Sequence, residues 1–349
     1  MNEQDNRPVI VDLDGISVDF PVKGGLPFSR KRKVRAVTDV SLSVREGETF
    51  GIVGESGCGK STIANAMVGM VRPTAGRVTF LGKDLNALDR KAFRELRRNM
   101  QMIFQDPFSS LNPRFTVQAI VSEPLVVQGG LTEDEIRARV VETLALVGLS
   151  EEDLPRYPSD FSGGQRQRIG IARSIIMKPK FLVCDEPVSA LDVSVHAQIL
   201  NLLIDLQDKL GITYVFISHN LAVVKSICDR MVVMYLGKVM EAGSVEEIYE
   251  SPRHPYTKAL MSAILDVRPE EKRHRVILQG DIPSPIDPPA GCRFWQRCPF
   301  AMEGCKDVPP PVMSVGTDHT VACHLVSGFD DTARGAGLDR PVAKPGAAK

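Results

Sequence analysis

A glycine-rich loop between an apolar segment and a helical segment is the feature that most constrains this chain. The run from Gly54 to Thr62 reads Gly-Glu-Ser-Gly-Cys-Gly-Lys-Ser-Thr and matches the pattern G-x-x-x-x-G-K-[ST] at every fixed position. Residues 49–53 before it are an apolar run typical of a buried strand, and residues 60–70 after it have a helical pattern. This context predicts a phosphate-binding loop, against the alternative of a glycine-rich turn that binds nothing.

The residue types in this loop suit a bound triphosphate. Glycines let backbone N–H groups turn toward a phosphate, and the following helix presents the positive end of its dipole. Lys60 supplies a point charge between two phosphates, and the Ser61 hydroxyl can ligate Mg²⁺. The residues predicted to contact the nucleotide here are Gly54, Ser56, Gly57, Cys58, Gly59, Lys60, Ser61 and Thr62, with Cys58 at a variable position of the pattern.

A second apolar strand ends in two carboxylates. Residues 181–184 are Phe-Leu-Val-Cys, and Asp185 and Glu186 follow directly. At the tip of a strand, Asp185 can hold Mg²⁺, and Glu186 can polarise a water molecule as a general base. On its own, such a pair is more often an exposed strand end. Its place 125 residues after Lys60 favours the functional interpretation.

Composition disfavours a nucleic-acid binder and a membrane-spanning chain. The 43 basic and 43 acidic residues give a net charge of zero, without the excess of positive charge that nucleic acid attracts. No stretch approaches the roughly 18 to 20 apolar residues that cross a bilayer. The polar start, Met1 to Asn6, differs from the basic start of a signal peptide. We therefore expect a cytosolic chain that reaches a membrane only through a partner.

Strands that alternate with helices predict an α/β core. The clearest helix spans residues 131–149, where Thr132 and Glu135 form a capping-box pair. Residues 9–20 are expected to form a strand pair or a long edge strand. Proline density rises beyond about residue 250, which predicts an irregular extension, and residues 328–349 have the composition of a disordered tail.

Four further motifs resemble those of the ATP-binding cassette (ABC) ATPases. Residues 161–165, Phe-Ser-Gly-Gly-Gln, resemble the signature sequence of that family, with Phe in place of the commoner Leu. Gln105 is similar to the Q-loop glutamine, residues 189–192 (Ser-Ala-Leu-Asp) to the D-loop, and His219 to the switch histidine. Each motif alone has an ordinary interpretation, such as a surface amide, a helix cap or a core histidine. Together with the phosphate loop and the two carboxylates, they form six motifs in the family order, between Val9 and about Met240.

The resemblance implies a site shared between two subunits. In the family, the signature residues cap the γ-phosphate of ATP held by the opposite subunit, and the D-loop aspartate reaches across the same interface. Gln105 is expected near Mg²⁺ and the attacking water, and His219 near the γ-phosphate in its own subunit. Phe20 is the candidate for stacking on adenine. The residues that the resemblance assigns to the opposite site are Ser162, Gly163, Gly164, Gln165 and Asp192.

The segments outside these motifs are similar to the ATPases of oligopeptide and dipeptide importers. Residues 105–114, Gln-Asp-Pro-Phe-Ser-Ser-Leu-Asn-Pro-Arg, resemble the segment that these proteins place against membrane subunits. Residues 254–257 and 291–299 resemble the same subfamily, and the Phe20–Gly24 segment resembles the second, F-type ATPase of each pair. An importer of another small solute such as nickel, or a soluble ABC ATPase in translation or DNA repair, remains the alternative.

Four of the seven cysteines lie close together near the end of the sequence. Cys292, Cys298, Cys305 and Cys323 lack the Cys-x₂-Cys spacing of zinc ribbons, so a metal centre and four unremarkable thiols are both open. Oligopeptide-importer ATPases carry a four-cysteine motif that binds a [4Fe-4S] cluster, and these positions resemble it. His319 and His324 are the further candidate ligands if the metal is zinc.

The expected architecture is an α/β, ABC-type P-loop ATPase core with an antiparallel β-subdomain, a helical subdomain and a cysteine-containing extension. The expected boundaries are 1–250 for the ATPase domain, with the helical subdomain at about 95–165, then 251–327 for the extension. The resemblance implies ATP, Mg²⁺ and a [4Fe-4S] cluster as cofactors. It also implies an identical or paralogous ATPase subunit, two membrane permease subunits and an extracytoplasmic solute-binding protein as partners, at the cytoplasmic face of the inner membrane. No nucleic-acid partner is expected.

Overall fold

Two β-sheets organise the chain. The structure is a computed structural model that describes residues 7–22, 32–106, 110–263 and 278–327. A four-stranded sheet has the order β2-β1-β4-β5, and an eight-stranded sheet has the order β11-β12-β10-β9-β3-β8-β7-β6. The strands are β1 (Val9–Pro21), β2 (Lys33–Arg45), β3 (Thr49–Gly54), β4 (Ala75–Phe80), β5 (Lys83–Asp84), β6 (Met100–Ile103), β7 (Phe181–Asp185), β8 (Thr213–Ser218), β9 (Arg230–Tyr235), β10 (Lys238–Ser244), β11 (Val312–Ser314) and β12 (Thr320–Ala322).

Ten α-helices are described, with short 3₁₀ turns between them. The helices are α1 (Lys60–Met67), α2 (Arg90–Leu96), α3 (Val117–Gln128), α4 (Glu133–Leu146), α5 (Gly163–Ile175), α6 (Val193–Leu210), α7 (Leu221–Ile227), α8 (Val245–Glu250), α9 (Pro255–Ser262) and α10 (Gly304–Asp307). The 3₁₀ turns are Arg97–Asn99, Glu151–Asp153, Pro158–Asp160 and Trp295–Arg297. None of these described helices is both long and apolar enough to span a membrane.

Five parallel strands of the large sheet bring their carboxyl ends to one edge. β3 pairs in parallel with β8 and β9, β7 pairs in parallel with β6 and β8, and β3, β7 and β8 are buried along their whole length. Such strands read as continuous apolar runs because both faces are covered. Loops that follow the carboxyl ends of parallel strands form the usual ligand-binding edge. The phosphate loop, the two carboxylates, Gln105 and His219 all follow strands at this edge.

The first strand lies inside its sheet, so the expectation of an edge strand or a strand pair was wrong. β1 is one 13-residue strand that pairs antiparallel with β2 on one side and β4 on the other. Val11 faces Val44 across the first pairing and Phe80 across the second, and all three side chains are buried. Buried residues of β1, among them Leu13 and Val18, pack into the core, and exposed residues lie between them because successive side chains of a strand point to opposite faces.

Helices α3, α4 and α5 pack together, and their apolar side chains join the core beside the large sheet. Val117, Ile120, Val140, Leu144 and Ile169 are buried in one continuous cluster. The predicted capping box on α4 is confirmed: Thr132 Oγ1 accepts a hydrogen bond from the Glu135 N–H, and Glu135 Oε2 accepts one from the Thr132 N–H. That second bond lowers the pKa of Glu135.

The C-terminal extension is more regular than its proline content predicted. Its strands β11 and β12 add to the large sheet, where Val321 of β12 pairs with Glu241 of β10. His319 Nε2 lies 2.7 Å from Glu241 Oε1, with both side chains buried. Proline is tolerated in the first turn of a helix, as Pro255 is in α9, and it leaves the N–H groups of other residues free to pair, so a proline-rich segment can still form helices and strands.

Some predictions concern residues outside the described ranges. The proposed disordered tail, 328–349, lies outside them, as do the last two residues of the Phe20–Gly24 segment. Residues 107–109, within the importer-like segment that begins at Gln105, lie outside them too.

Candidate active site

The phosphate loop leaves a buried strand and enters a helix, and glycine is required at both ends of it. A Cβ on Gly54, at φ +153°, would lie 2.3 Å from the Met234 carbonyl oxygen. A Cβ on Gly59, at φ +104°, would lie 2.3 Å from the Ala36 carbonyl oxygen. Gly59 precedes α1 and contributes no side-chain cap, so the first N–H groups of α1 face the loop. These are the donors that bind phosphate at helix N-termini.

Lys60 and Ser61 are held in place by the backbone of the loop and by Asp185 at the end of β7. Lys60 is 6% exposed, and its Nζ donates to the Gly54 oxygen at 2.8 Å and the Glu55 oxygen at 3.0 Å. Ser61 Oγ donates to Asp185 Oδ1 at 3.3 Å. Burial raises the pKa of Asp185, and the bond from Ser61 opposes that rise. The Ser61 hydroxyl and the Asp185 carboxylate, both predicted Mg²⁺ ligands, are therefore in contact.

Glu186 is the meeting point of two other predicted residues. Gln105 Nε2 donates to Glu186 Oε2 at 2.9 Å, and His219 Nδ1 lies 3.0 Å from Glu186 Oε1. Glu186 has a φ of +47°, a left-handed conformation that a non-glycine residue adopts at some cost. Its N–H donates to the Ile217 oxygen of β8, which holds the strained backbone. The site therefore assembles a carboxylate flanked by an amide and an imidazole.

The signature residues cap helix α5. Ser162 Oγ accepts from the Gln165 N–H at 3.4 Å, and Gln165 Oε1 accepts from the Ser162 N–H at 3.0 Å. Gly163 begins the helix, and Gly164 packs so closely that a Cβ on it would lie 2.6 Å from Val195 Cγ1. A glycine-flanked helix N-terminus with free backbone donors suits an anion.

The signature residues and Asp192 are not hydrogen-bonded to Lys60 in the part of the chain that the structure describes. Within the described ranges, no hydrogen bond joins Ser162, Gly164 or Asp192 to Lys60 or to Glu186. Asp192 is exposed and precedes α6 without capping it through its side chain. The D-loop does reach Glu186 through Ser189, whose N–H and Oγ both donate to the Glu186 carbonyl oxygen, at 3.1 Å and 3.0 Å.

Three predicted nucleotide contacts differ in exposure. The Cys58 side chain is 4% exposed, its Sγ lies against Gly54, and burial raises the thiol pKa. Cys58 stays a predicted nucleotide contact at a variable position of the loop pattern. Thr62 is half-buried on α1. Phe20 is 41% exposed on β1, opposite Val34 of β2.

Arg297 contacts the phosphate loop, and sequence reasoning missed it. Its guanidinium donates to both carboxylate oxygens of Glu55, at 2.6 Å and 3.0 Å. The two residues are 242 positions apart. Neither residue is marked by a motif that predicts the contact. Glu55 occupies a variable position of the loop pattern, and Arg297 is notable in the sequence only because it precedes Cys298 in the cysteine-containing segment.

The four clustered cysteines line one small cavity of ≈ 10 Å³, together with His254 and His324. A cavity of that size holds about one water molecule. Burial raises the pKa of Cys292 and of Cys298 to about 12, so both thiols are protonated at neutral pH. His254 Nε2 is buried and makes no hydrogen bond within the described ranges. In those ranges no group of three or more His, Cys, Asp or Glu side chains is arranged to hold a metal ion.

A groove of ≈ 630 Å³ opens beside Gln105, between α2, β6, α3 and α5. Four arginines and one glutamate are its charged residues: Arg94, Arg97, Arg98, Arg173 and Glu123. Its apolar lining includes Phe104, Val127 and Met177, and Phe104 is 41% exposed. An exposed apolar groove with an excess of positive charge is typical of a surface that binds another protein.

Two family profiles match the chain. The profile described as ABC transporter matches residues 37–189, and the profile described as Oligopeptide/dipeptide transporter, C-terminal region, matches residues 240–305. The first range holds the phosphate loop, the signature sequence and the two carboxylates. The second holds Arg297 and three of the four clustered cysteines.

Solved structures with this fold are ABC cassettes. The dimeric structure of the ATP-binding cassette MJ0796 bound to ADP and Pi has a TM-score of 0.60 and 29% identity, over 68% of this chain and 99% of that one. The cbiO1 protein of Clostridium perfringens, part of the ABC transporter complex cbiONQ, also has a TM-score of 0.60, with 31% identity over 70% of this chain and 91% of that one.

Relatives of known name match almost the whole chain. Oligopeptide transport ATP-binding protein AppF of Bacillus subtilis (strain 168) is 48% identical over 326 residues, which is 92% of this chain and 99% of AppF. Oligopeptide transport ATP-binding protein OppF of Escherichia coli (strain K12) is 47% identical over 324 residues, 91% of this chain and 97% of OppF. Identity of this level over nine tenths of the sequence shows the family: the chain belongs to the oligopeptide-transport ATP-binding proteins of the ABC transporter family.

Proposed function

We propose that this chain binds and hydrolyses ATP to power a bacterial importer of dipeptides and oligopeptides. The observation that carries the proposal is the convergence of Gln105 and His219 on Glu186, at the sheet edge where Lys60 and Ser61 begin α1. The relatives named as oligopeptide transport proteins support the choice of cargo. The peptide itself is selected by an extracytoplasmic binding protein and by the membrane subunits.

The proposed roles follow from the contacts. Lys60 neutralises the β- and γ-phosphates, and the loop and α1 donate backbone N–H groups to them. Ser61, Asp185 and Gln105 are the proposed residues around Mg²⁺, which neutralises phosphate charge when bound. Glu186 accepts the proton of the attacking water. His219, 60% exposed at its side chain, lies at the mouth of the site where the γ-phosphate is expected.

A second subunit completes the proposed site. Ser162, Gly163, Gly164 and Gln165 lie at the N-terminus of helix α5, where backbone N–H groups suit an anion, so they are proposed to cap the γ-phosphate of ATP bound to the other subunit. Asp192 is proposed to cross the same interface, and Phe20 to stack on adenine. Closure around two ATP molecules and reopening after hydrolysis would drive alternating access in the permease.

The groove beside Gln105 is the proposed docking site for a cytoplasmic helix of the permease. Four arginines against one glutamate favour an acidic amphipathic helix, and the apolar lining receives its hydrophobic face. Because Phe104 lines the groove and Gln105 contacts Glu186, the docked helix lies next to the catalytic carboxylate. The chain is therefore proposed to act at the cytoplasmic face of the inner membrane, held there by its partners.

Charge reversal in the groove tests the docking proposal. The double substitution Arg97→Glu and Arg98→Glu is expected to reduce co-purification of the permease subunits at least about tenfold, since like charges across an interface repel. ATP hydrolysis by the isolated chain should change less than about twofold. Lys91→Glu on α2, just before that turn and outside the groove, is the control and should leave co-purification intact. Capture of ribosomes or DNA in place of permease would contradict the proposal. Capture of a nickel permease would indicate that the transported solute is nickel and not a peptide.

We also propose that Cys292, Cys298, Cys305 and Cys323 hold a [4Fe-4S] cluster, with zinc as the second candidate. Four thiolates are the usual ligands of such a cluster, and all four residues line one cavity, together with His254 and His324. The donor set fits, whereas the cavity must widen to admit the cluster. Metal binding would displace the thiol protons and tie the extension together.

Anaerobic purification tests the cluster directly. We expect broad absorbance in the blue visible range and about four irons per chain, with both lost in Cys298→Ser because one ligand is removed. Cys228→Ala, a buried cysteine outside the cavity, is the control and should keep its iron. Stoichiometric zinc would favour the second candidate, and neither metal in the wild type would contradict the proposal.

A further inference from the structure

The C-terminal extension is bonded to the phosphate loop at Glu55. Arg297 Nη1 and Nη2 donate to the two carboxylate oxygens of Glu55, at 2.6 Å and 3.0 Å. The Arg297 side chain is 8% exposed and that of Glu55 is 25% exposed. A bidentate pair of hydrogen bonds of this kind fixes both the distance and the relative orientation of the guanidinium and the carboxylate, which a lysine ammonium cannot do.

Arg297 is itself held by a packed aromatic group. It ends the 3₁₀ turn Trp295–Arg297, and its Nη1 also donates to Tyr235 Oη at 3.3 Å. The Tyr235 ring lies 4.8 Å from Tyr256 and 5.3 Å from Phe294, centroid to centroid. All three rings are at most 1% exposed. Such packing restricts the conformations of the Arg297 side chain, so the guanidinium is held in position independently of its bond to Glu55.

Glu55 is fixed at three points. Its carboxylate is bound by Arg297, its N–H donates to Tyr256 Oη at 3.0 Å, and its carbonyl accepts from Lys60 Nζ at 3.0 Å. The rest of the loop is rich in glycine, and Gly57 has a φ of +76° with no atom near its missing Cβ. A glycine-rich loop loses much conformational entropy when it closes on a ligand. Fixing Glu55 removes part of that cost in advance.

The same contact removes an unfavourable charge. Glu55 directly follows Gly54, in a loop proposed to surround the anionic phosphates of ATP. An unpaired carboxylate there would repel the triphosphate. Arg297 compensates that charge and, because its guanidinium is held by Tyr235, keeps the carboxylate turned toward the extension.

We propose that Arg297 is a positioning residue for ATP binding: by holding Glu55 it preorganises the phosphate loop, so that the C-terminal extension sets the affinity of the chain for ATP. The inference rests on the proposed role of Gly54–Thr62 as the nucleotide loop. It assigns the extension a part in nucleotide binding that is independent of whether its cysteines hold a metal.

Steady-state hydrolysis by the full chain, as a function of MgATP concentration, tests this proposal. Arg297→Gln is expected to raise KM for ATP about tenfold, the loss expected for a charged hydrogen-bond pair, with kcat within about twofold of wild type. Arg297→Lys keeps the positive charge but cannot form the bidentate hydrogen bond, so its KM for ATP should lie between those of wild type and Arg297→Gln. Asp318→Asn is the matched control: it removes the Arg45–Asp318 ion pair at 3.3 Å, which also joins extension to core but lies away from the loop, and should leave KM unchanged.

Coupling between the two partners separates positioning from a general loosening of the extension. In a Glu55→Gln background, Arg297→Gln should raise KM less than about twofold further, because the ion pair is already lost. Glu55→Gln leaves the extension unaltered, so it tests the contact even if Arg297→Gln folds poorly. An unchanged KM in Arg297→Gln, equal shifts in Arg297→Gln and Asp318→Asn, or additive effects of the two partners would overturn the proposal. If the wild-type chain binds no ATP, the proposed function fails instead.

Discussion

Glu186→Gln is expected to lower steady-state ATP hydrolysis by about 10²- to 10³-fold while leaving ATP binding intact, since a positioned general base contributes a factor of that order. The Glu186 carboxylate receives the amide of Gln105 at 2.9 Å and lies 3.0 Å from the imidazole of His219. Glutamine has the same shape and can keep a contact with each neighbour, but it cannot take a proton from water. The variant should therefore bind ATP, close with its partner subunit and remain closed.

Size-exclusion chromatography with light scattering measures this trapped state. We expect Glu186→Gln to elute as a dimer of ATPase subunits with MgATP and to dissociate with ADP, whereas wild type should return to the open form as it hydrolyses ATP. Glu46→Gln, at an exposed turn before β3, is the control and should behave like wild type. Rapid turnover in Glu186→Gln would exclude Glu186 as the base.

Lys60→Ala is the second change with a large expected effect. Lys60 Nζ is held by the Gly54 and Glu55 carbonyls at the end of the loop, where it is the buried positive charge nearest the predicted phosphates. Removing it deletes charge-assisted hydrogen bonds worth about 1.5 to 3 kcal/mol each, so the Kd for ATP should rise about 100-fold or more.

Titration of a fluorescent ATP analogue with each variant measures this effect. Lys83→Ala, an exposed lysine on β5, is the control and should bind as wild type does. The Lys60→Ala chain should also keep its fold, because the loop carbonyls it leaves can be hydrated at the open end of the site. An unchanged Kd would show that Gly54–Thr62 is not the nucleotide loop.

Local sequence patterns predicted much of the site because each motif carries its own structural context. An apolar strand before Gly54 and a helical pattern after Lys60 specify the phosphate loop without any distant contact. The apolar run before Asp185 specifies a buried parallel strand, and the carboxyl ends of such strands share one edge. The capping box at Thr132 is likewise specified by residues within one stretch of four. In these cases sequence neighbours are also spatial neighbours.

Contacts between distant segments could not be predicted in this way. The central position of β1 depends on pairing with β4, more than fifty residues later, and its alternating pattern also suits an edge. The contact between Arg297 and Glu55 joins residues 242 positions apart, and neither has a periodicity that marks it. Strand β12 joins β10 through backbone bonds that proline content does not exclude. Long-range pairing follows from tertiary packing, which local propensity does not record.

Peptide uptake by sealed vesicles tests the central claim most directly. Vesicles would contain the proposed permease subunits, the proposed second ATPase subunit and the proposed solute-binding protein, with MgATP on the side of the ATPase. Labelled oligopeptide is predicted to accumulate with the wild-type chain and ATP, and to fall to the level of ATP-free vesicles with Glu186→Gln. Uptake at the wild-type rate with Glu186→Gln, or uptake that needs no ATP, would contradict the account.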